Sequence, residues 1–543
     1  VIALLEHMLI IPILAPLLVG AMQLFLGERR GARIISSLAS VLVQAAAALA
    51  LLYMTTDAMP DIWTEGVGVY AIGSWPAPFG IVLVVDRLSA LMLLLTSLVA
   101  LSSLVYSLAY WDRVAPAFHS LFQFLLMGLN GAFLTGDLFN LFVFFEVLLA
   151  ASYGLLLHGS GVGRVKASLH YITVNLVASF MFLIGVAMIY GMTGTLNMAD
   201  LAGRIMLLAP HDRALFESGA AILGVAFLIK AGAWPLNFWL PTTYVAASSP
   251  IGAVFSLLTK VGVYAVLRVG TVLAAGNEET SFIDVGLFYG GAATIAYAVV
   301  GMLASRQLGR IVSYCVVTST GLLFMALGLR IDALTGPVIL YLVSSVLATS
   351  AFFMVNGLAQ RTRTHRIREA ADVAPLPDLT YVGFDITPQD PLSPKDEVGI
   401  AIPAAMAFLG LAFICCALLV AGLPPLSGFI AKFALLRTAV GHSTDAGIGW
   451  HAWAFCAALI ATGVATMIAL TRGGLRLFWT SQGRTTPRLR MIEAGPAAFL
   501  ILLSVAMTAG IAPVMTYLDS AARSLHSPDV YIRVVNGTRE DAP

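Results

Sequence analysis

The chain alternates long apolar runs with short polar breaks, and most runs are long enough to cross a hydrocarbon core about 30 Å thick as a helix. Read run by run, the spans fall at 7–26, 34–56, 81–110, 119–136, 138–157, 168–192, 218–240, 251–274, 284–304, 311–329, 336–359, 398–438, 451–471 and 493–516. Backbone in lipid has to satisfy its own N–H and C=O groups, which makes helices the expected element. The short alternating segments of a membrane β-barrel are absent. The pattern predicts an all-α polytopic membrane protein with about 14 transmembrane helices.

Composition agrees with the pattern: of 543 residues, 59% are hydrophobic and 11% charged, with a mean hydropathy of +0.91. A net charge of +1 offers no basic surface for nucleic acid. Cys315, Cys415, Cys416 and Cys456 all lie in apolar runs without ligand spacing and read as packing residues rather than a disulfide framework or metal motif. The histidines are scattered. No phosphate-cradling loop or dinucleotide fingerprint occurs, so neither cofactor nor metal is expected. The first run, HMLIIPILAPLLVGAMQLFL, lacks a charged leader and a small-residue cleavage site and reads as a retained helix.

Arginine placement orients the spans. Arg29, Arg30, Arg33, Arg113, Arg164, Lys166, Arg306, Arg310, the basic residues of 361–368, Lys395 and those of 472–490 share one set of alternate loops. Opposite them stand Arg204, Arg213 and Arg330, with Arg523, Arg533 and Arg539 in the tail. The positive-inside bias puts the first set in the cytoplasm and both termini outside it. The one long cytoplasmic loop, 360–397, passes from basic to Pro- and Asp-rich sequence and reads as a solvated contact surface. The tail from Asp519 reads as a short polar segment.

Six basic residues remain inside spans: Arg87, Lys230, Lys260, Arg268, Lys432 and Arg437. Three of the chain's five lysines are among them. Lysine is the basic side chain that can give up its proton when desolvated, whereas arginine stays charged. Lys230 and Lys260 fall near the middle of their spans, too deep for easy snorkelling. Arg87, Arg268 and Arg437 lie near span ends, where snorkelling or pairing with a neighbour such as Asp86 accounts for them. Glu146 is the one carboxylate at the centre of a span, and an uncompensated charge there costs on the order of 3 kcal/mol. It needs a partner or a proton, and Lys230 is the natural partner. A static ion pair holding helices together is the alternative, but it leaves two lysines unpaired.

Two spans are also broken. In FLIKAGAWPLNFWLP, Gly232 and Pro235 follow Lys230, and in AGLPPLSGFIAKFALL, Pro424 and Pro425 precede Lys432. Interrupted helices at mid-depth line polar cavities in transporters and recur once in each half of a repeated fold.

These stretches, together with FNLFVFFEVLLAASYGLLLHG and LLTKVGVYAVLR, resemble the proton-translocating antiporter-like family of complex I, membrane-bound hydrogenases and Mrp-type antiporters. The likeness covers nearly all of residues 1–520 and is strongest to the D subunits of multisubunit Mrp-type Na+/H+ antiporters. The resemblance implies 14 helices with two inverted five-helix repeats, helices 4–8 and 9–13, and discontinuous helices 7 and 12 carrying Lys230 and Lys432. It puts the helix 5 glutamate at Glu146 and the helix 8 lysine at Lys260, all four as proton-transport residues. The corresponding regions are 1–118 for helices 1–3, 119–274 and 275–471 for the repeats, and 472–543 for helix 14 and the tail. Relatives often carry an acidic residue and a histidine after the first break, where this chain has Thr242 and Tyr244. No long lateral helix follows span 14, which argues against the A-type subunit.

The expected protein is thus a transporter subunit of a bacterial cell (inner) membrane, surrounded by lipid and other membrane subunits. A path lined with lysines repels a hard cation that wants oxygen ligands, so a partner subunit is expected to carry Na+. The alternatives are a proton-pumping subunit of a redox complex and an inert scaffold whose buried charges fix packing.

Overall fold

The computed structural model describes residues 7–27, 29–56, 63–114, 117–159, 161–276, 281–373, 404–441, 449–478 and 489–537. Most of the loop read at 360–397 lies outside the described residues, as does the end of the tail. The helices are α1 (Ile11–Phe25), α2 (Arg30–Met54), α3 (Arg87–Ser107), α4 (Phe118–Leu134), α5 (Leu138–Leu157), α6 (Val162–Thr193), α7 (Met198–Met206), α8 (Pro210–Ala231), α9 (Trp239–Ala246) and α10 (Ser249–Gly276). They continue with α11 (Ser281–Ala304), α12 (Leu308–Leu327), α13 (Thr335–Val373), α14 (Ala404–Ala421), α15 (Ser427–Gly441), α16 (Trp450–Phe478), α17 (Met491–Ala509), α18 (Ile511–His526) and α19 (Asp529–Gly537). Among the described residues, 12 helices are long and apolar enough to cross a membrane, and α1 and α4 are shorter apolar helices.

Two local readings change. The run at 81–110 opens as a strand: β2 (Val82–Val85) pairs antiparallel with β1 (Gly68–Ala71), Gly68 opposite Val85. Val-Leu-Val-Val suits a buried strand as well as a span, and Asp86 decides where the helix starts. Its carboxylate accepts the Ser89 N–H at 2.9 Å while Ser89 Oγ accepts the Asp86 N–H at 2.8 Å, a reciprocal cap that begins α3 at Arg87. The runs at 218–240 and 398–438 each divide into two helices at the breaks read in the sequence, α8 with α9 and α14 with α15. The polar tail is helical as well: Leu518, Ala521, Ala522 and Leu525 form a buried stripe on α18, and Tyr531 and Val535 are buried on α19. The apolar residues recur at helical spacing inside a mostly polar segment, which composition alone hides.

Contacts sort the loops into two ends. At the arginine-rich end, Arg30 Nε donates to Asp112 Oδ2 at 2.8 Å, Arg164 Nε to the Ala246 carbonyl at 3.0 Å, and Arg490 to the Ala109 carbonyl at 3.4 Å. The opposite end joins Leu83 to Thr135 and Asp137 to Asn197 as β-bridges, and Arg330 to Asp284 at 3.6 Å. Between them, a buried polar seam ties α1, α2 and α4 together. Asn130 Nδ2 donates to Gln44 Oε1 and to the Pro12 carbonyl, each at 2.8 Å, and Ser40 Oγ donates to Gln123 Oε1 at 2.8 Å. Such bonds hold helices together where lipid supplies no hydrophobic drive.

Candidate functional site

Of the end-of-span arginines, Arg268 and Arg87 are engaged by protein partners. Arg268 forms a buried ion pair with Asp86 at 2.7 Å, and its guanidinium lies 5.4 Å from the Tyr531 ring. Arg87 Nε donates to the Thr55 carbonyl at 3.1 Å. Arg437 lines an open groove with Asp332, Asp519, Arg523 and His526.

Both helix breaks begin with a glycine in the left-handed region, a conformation other residues adopt only under strain. Gly232 has φ 76° and Gly422 φ 78°. Around the first, Gly232 N–H bonds the Ile229 carbonyl at 3.0 Å and Ala233 N–H the Leu228 carbonyl at 2.9 Å; around the second, Gly422 and Leu423 both bond the Leu418 carbonyl, at 2.9 and 3.0 Å. The prolines that follow cannot continue a helix. At the first break the Trp234 N–H is taken by Thr294 Oγ1, reaching in from α11, at 2.9 Å.

Lys230 stands one residue before the end of α8, 8% exposed. Its Nζ donates to Ser179 Oγ at 3.2 Å and lies 3.9 Å from Glu146 Oε1 and 5.1 Å from the centre of the Phe145 ring. Ser179 in turn donates to Glu146 Oε1. Glu146 is the least enclosed member, its side chain 31% exposed.

Lys432 closes the second break. From α15 its Nζ donates back to the last carbonyls of α14, Ala421 at 2.8 Å and Val420 at 3.3 Å. Those carbonyls have no partner in their own helix, and the negative end of the helix dipole favours a cation there. Lys260, 1% exposed on α10, donates to Ser319 Oγ at 2.5 Å and Thr320 Oγ1 at 3.2 Å on α12. Among the described residues neither Lys260 nor Lys432 has an ion-pair partner.

The three amines are linked by packing. A Cβ on Gly262 would lie 2.8 Å from Ala231 Cβ and from the Phe227 carbonyl, so α10 and α8 touch almost backbone to backbone two residues from Lys260 and one from Lys230. Ser319, which holds Lys260, also lines a polar cavity shared with Thr318, Ser344, Ser345, Thr349 and Lys432. Cys315 faces the same cavity. Thr242 and Tyr244, which follow the first break, donate to the backbone carbonyls of Trp239 and Phe255 at 2.9 and 2.5 Å.

Sequence reasoning singled out the four charged residues but none of the hydroxyls that hold them. The Val-Thr-Ser-Thr-Gly run at 317–321 was the available signal, and it is weak because serine and threonine bond their own helix carbonyls throughout membrane helices. Among the described residues no three His, Cys, Asp or Glu side chains converge on a point that could hold a metal.

Residues 135–385, which include Glu146, Lys230 and Lys260, match the family described as "NADH:quinone oxidoreductase/Mrp antiporter, TM". Over 533 residues the chain is 49% identical to the probable K+/H+ antiporter D subunit of Rhizobium meliloti, covering 96% of each chain. The chain belongs to the family of Mrp-type antiporter D subunits. Another member, the Na+/H+ antiporter D subunit of Alkalihalophilus pseudofirmus, is 32% identical over 538 residues, with 98% of this chain and 99% of that one covered. The fold is also that of a chain in the Mrp complex from Dietzia sp. DQ12-45-1b, with a TM-score of 0.80 at 26% identity, covering 98% of this chain and 100% of that one.

Proposed function

We propose that this chain is the proton-translocating subunit of a multisubunit monovalent cation/H+ antiporter in a bacterial membrane. The supporting observation is that two buried amines, Lys230 and Lys432, lie at the two helix breaks and a third, Lys260, on an unbroken helix packed against the first, each held by hydroxyls or backbone carbonyls, with Glu146 beside Lys230. A proton moves along Lys230, Lys260 and Lys432. Glu146 sets the first step by closing on Lys230, which holds the proton, or withdrawing, which lets it pass. The sites titrate together as one coupled system. The regions 119–274 and 275–471 act as two inverted repeats, each supplying one broken helix. The arginine-rich end faces the cytoplasm, so both termini lie outside it.

The relatives are named as subunits, and their names divide between K+ and Na+. That division supports a partner membrane subunit as the carrier of the cation, since the lysine axis itself repels one. It also opens K+ beside the Na+ that the sequence resemblance implied. The test is antiport in everted vesicles from a host lacking other antiporters and expressing the whole complex, assayed with each cation. Glu146→Ala and Lys230→Ala abolish antiport while partner subunits still copurify. Normal transport in either assembled variant rejects the axis.

A further inference from the structure

Lys230 Nζ and Glu146 Oε1 stand 3.9 Å apart, beyond the 2.7–3.2 Å over which hydrogen-bonded groups exchange a proton directly. Ser179, 3% exposed, occupies the gap. Its oxygen accepts from Lys230 at 3.2 Å, and two acceptors lie within reach of its O–H: Glu146 Oε1 and the Asn175 carbonyl of its own helix, the latter at 3.0 Å. A hydroxyl carries one proton and can serve only one of them at a time.

We infer that Ser179 is a relay residue through which the proton passes between Lys230 and Glu146, with the Asn175 carbonyl as the resting acceptor that disconnects the relay. The inference rests on the proton axis proposed above. In the step that loads the axis, a Glu146 Oε1–H bond breaks as a new Ser179 Oγ–H bond forms, and the proton Ser179 already carried bonds to the neutral Lys230 Nζ, which leaves Lys230 donating to Ser179 and Ser179 to Glu146. A neutral acid and a neutral amine become an anion and a cation, the hydroxyl is regenerated, and no other reactant is consumed. With the O–H turned to Asn175, Lys230 keeps its proton and Glu146 has no donor on that side. Among the described residues, Ser179 is the side chain that hydrogen-bonds both Lys230 and Glu146. Glu146, more exposed than the other two, is the member able to take up the next proton.

The test measures antiport in the whole reconstituted complex, normalised to copurified partner subunits. Ser179→Ala lowers the flux on the order of a hundredfold, the scale of a lost positioned proton-transfer group, and Ser179→Thr, which restores a hydroxyl, recovers most of it. A wild-type flux in Ser179→Ala while Glu146→Gln and Lys230→Ala are inactive overturns the relay and leaves the axis standing. If all three transport normally, the axis itself falls. A Thr variant as impaired as Ala also overturns the relay, because the hydroxyl is then not what matters. Should Ser179→Ala fail to assemble, Ser179→Cys makes the same comparison: its thiol bonds both neighbours weakly, so a large loss supports the relay and an undiminished flux overturns it.

Discussion

Gly422→Ala alters the second break without removing any charged group. At φ 78° an added Cβ would lie 2.4 Å from Lys432 Cδ, 3.0 Å from Cε and 3.2 Å from Nζ. The left-handed backbone alone costs about 1–2 kcal/mol for a residue with a side chain. Relieving the overlap means moving the lysine stem away from the Ala421 and Val420 carbonyls, and hydrogen bonds to a charged group contribute about 1.5–3 kcal/mol. Together the change destabilises the break by roughly 3–5 kcal/mol. If only the hydrogen-bond share reaches the transport step, antiport slows roughly ten- to a hundredfold. Gly410→Ala on α14 is the control, since its Cβ would meet nothing within 4 Å; replacing a helix-interior glycine stabilises by about 0.5–1 kcal/mol. Flux in everted vesicles and thermal unfolding of the purified complex are compared for the two. Gly422→Ala behaving like Gly410→Ala in both would refute the idea that the break holds Lys432 in place.

Three further outcomes follow from named contacts. Arg268→Met leaves Asp86 buried without its partner, which costs about 3–5 kcal/mol; yield and melting temperature of the complex drop while flux per assembled complex stays near wild type. Thr294→Val strands the Trp234 N–H at the first break, a penalty of about 1–3 kcal/mol, and lowers flux, whereas Thr294→Ser restores it. Asn130→Leu removes the bonds to Gln44 and Pro12, and at about 0.6 kcal/mol for a typical interhelical bond it lowers the melting temperature slightly and leaves transport unchanged.

Buried charge is what made much of the candidate site legible. A lysine or glutamate amid twenty apolar residues needs a reason to be there, and Glu146, Lys230, Lys260 and Lys432 each stood out for it. The glycines and prolines beside Lys230 and Lys432 likewise announced the breaks, and the structure separates α8 from α9 and α14 from α15 there. Ser179, Ser319, Thr320 and Thr294 carried no such signal, because a hydroxyl that can bond its own helix costs little anywhere in a span. Their role depends on which helices become neighbours, a tertiary fact. The same holds for Gly262, which matters only because α8 presses on it. Strand β2 was hidden because four apolar β-branched and leucine residues satisfy both a strand and a span pattern. Helices α18 and α19 were hidden by overall polarity, their buried faces being a stripe of single residues.

The most direct measurement of the central claim records proton and cation fluxes together in proteoliposomes holding the complete complex, with Lys260→Ala and Lys432→Ala compared with wild type. Both variants are expected to copurify with their partners and to lose proton movement and cation exchange together. Undiminished proton flux in either assembled variant would contradict a path that runs through these buried amines.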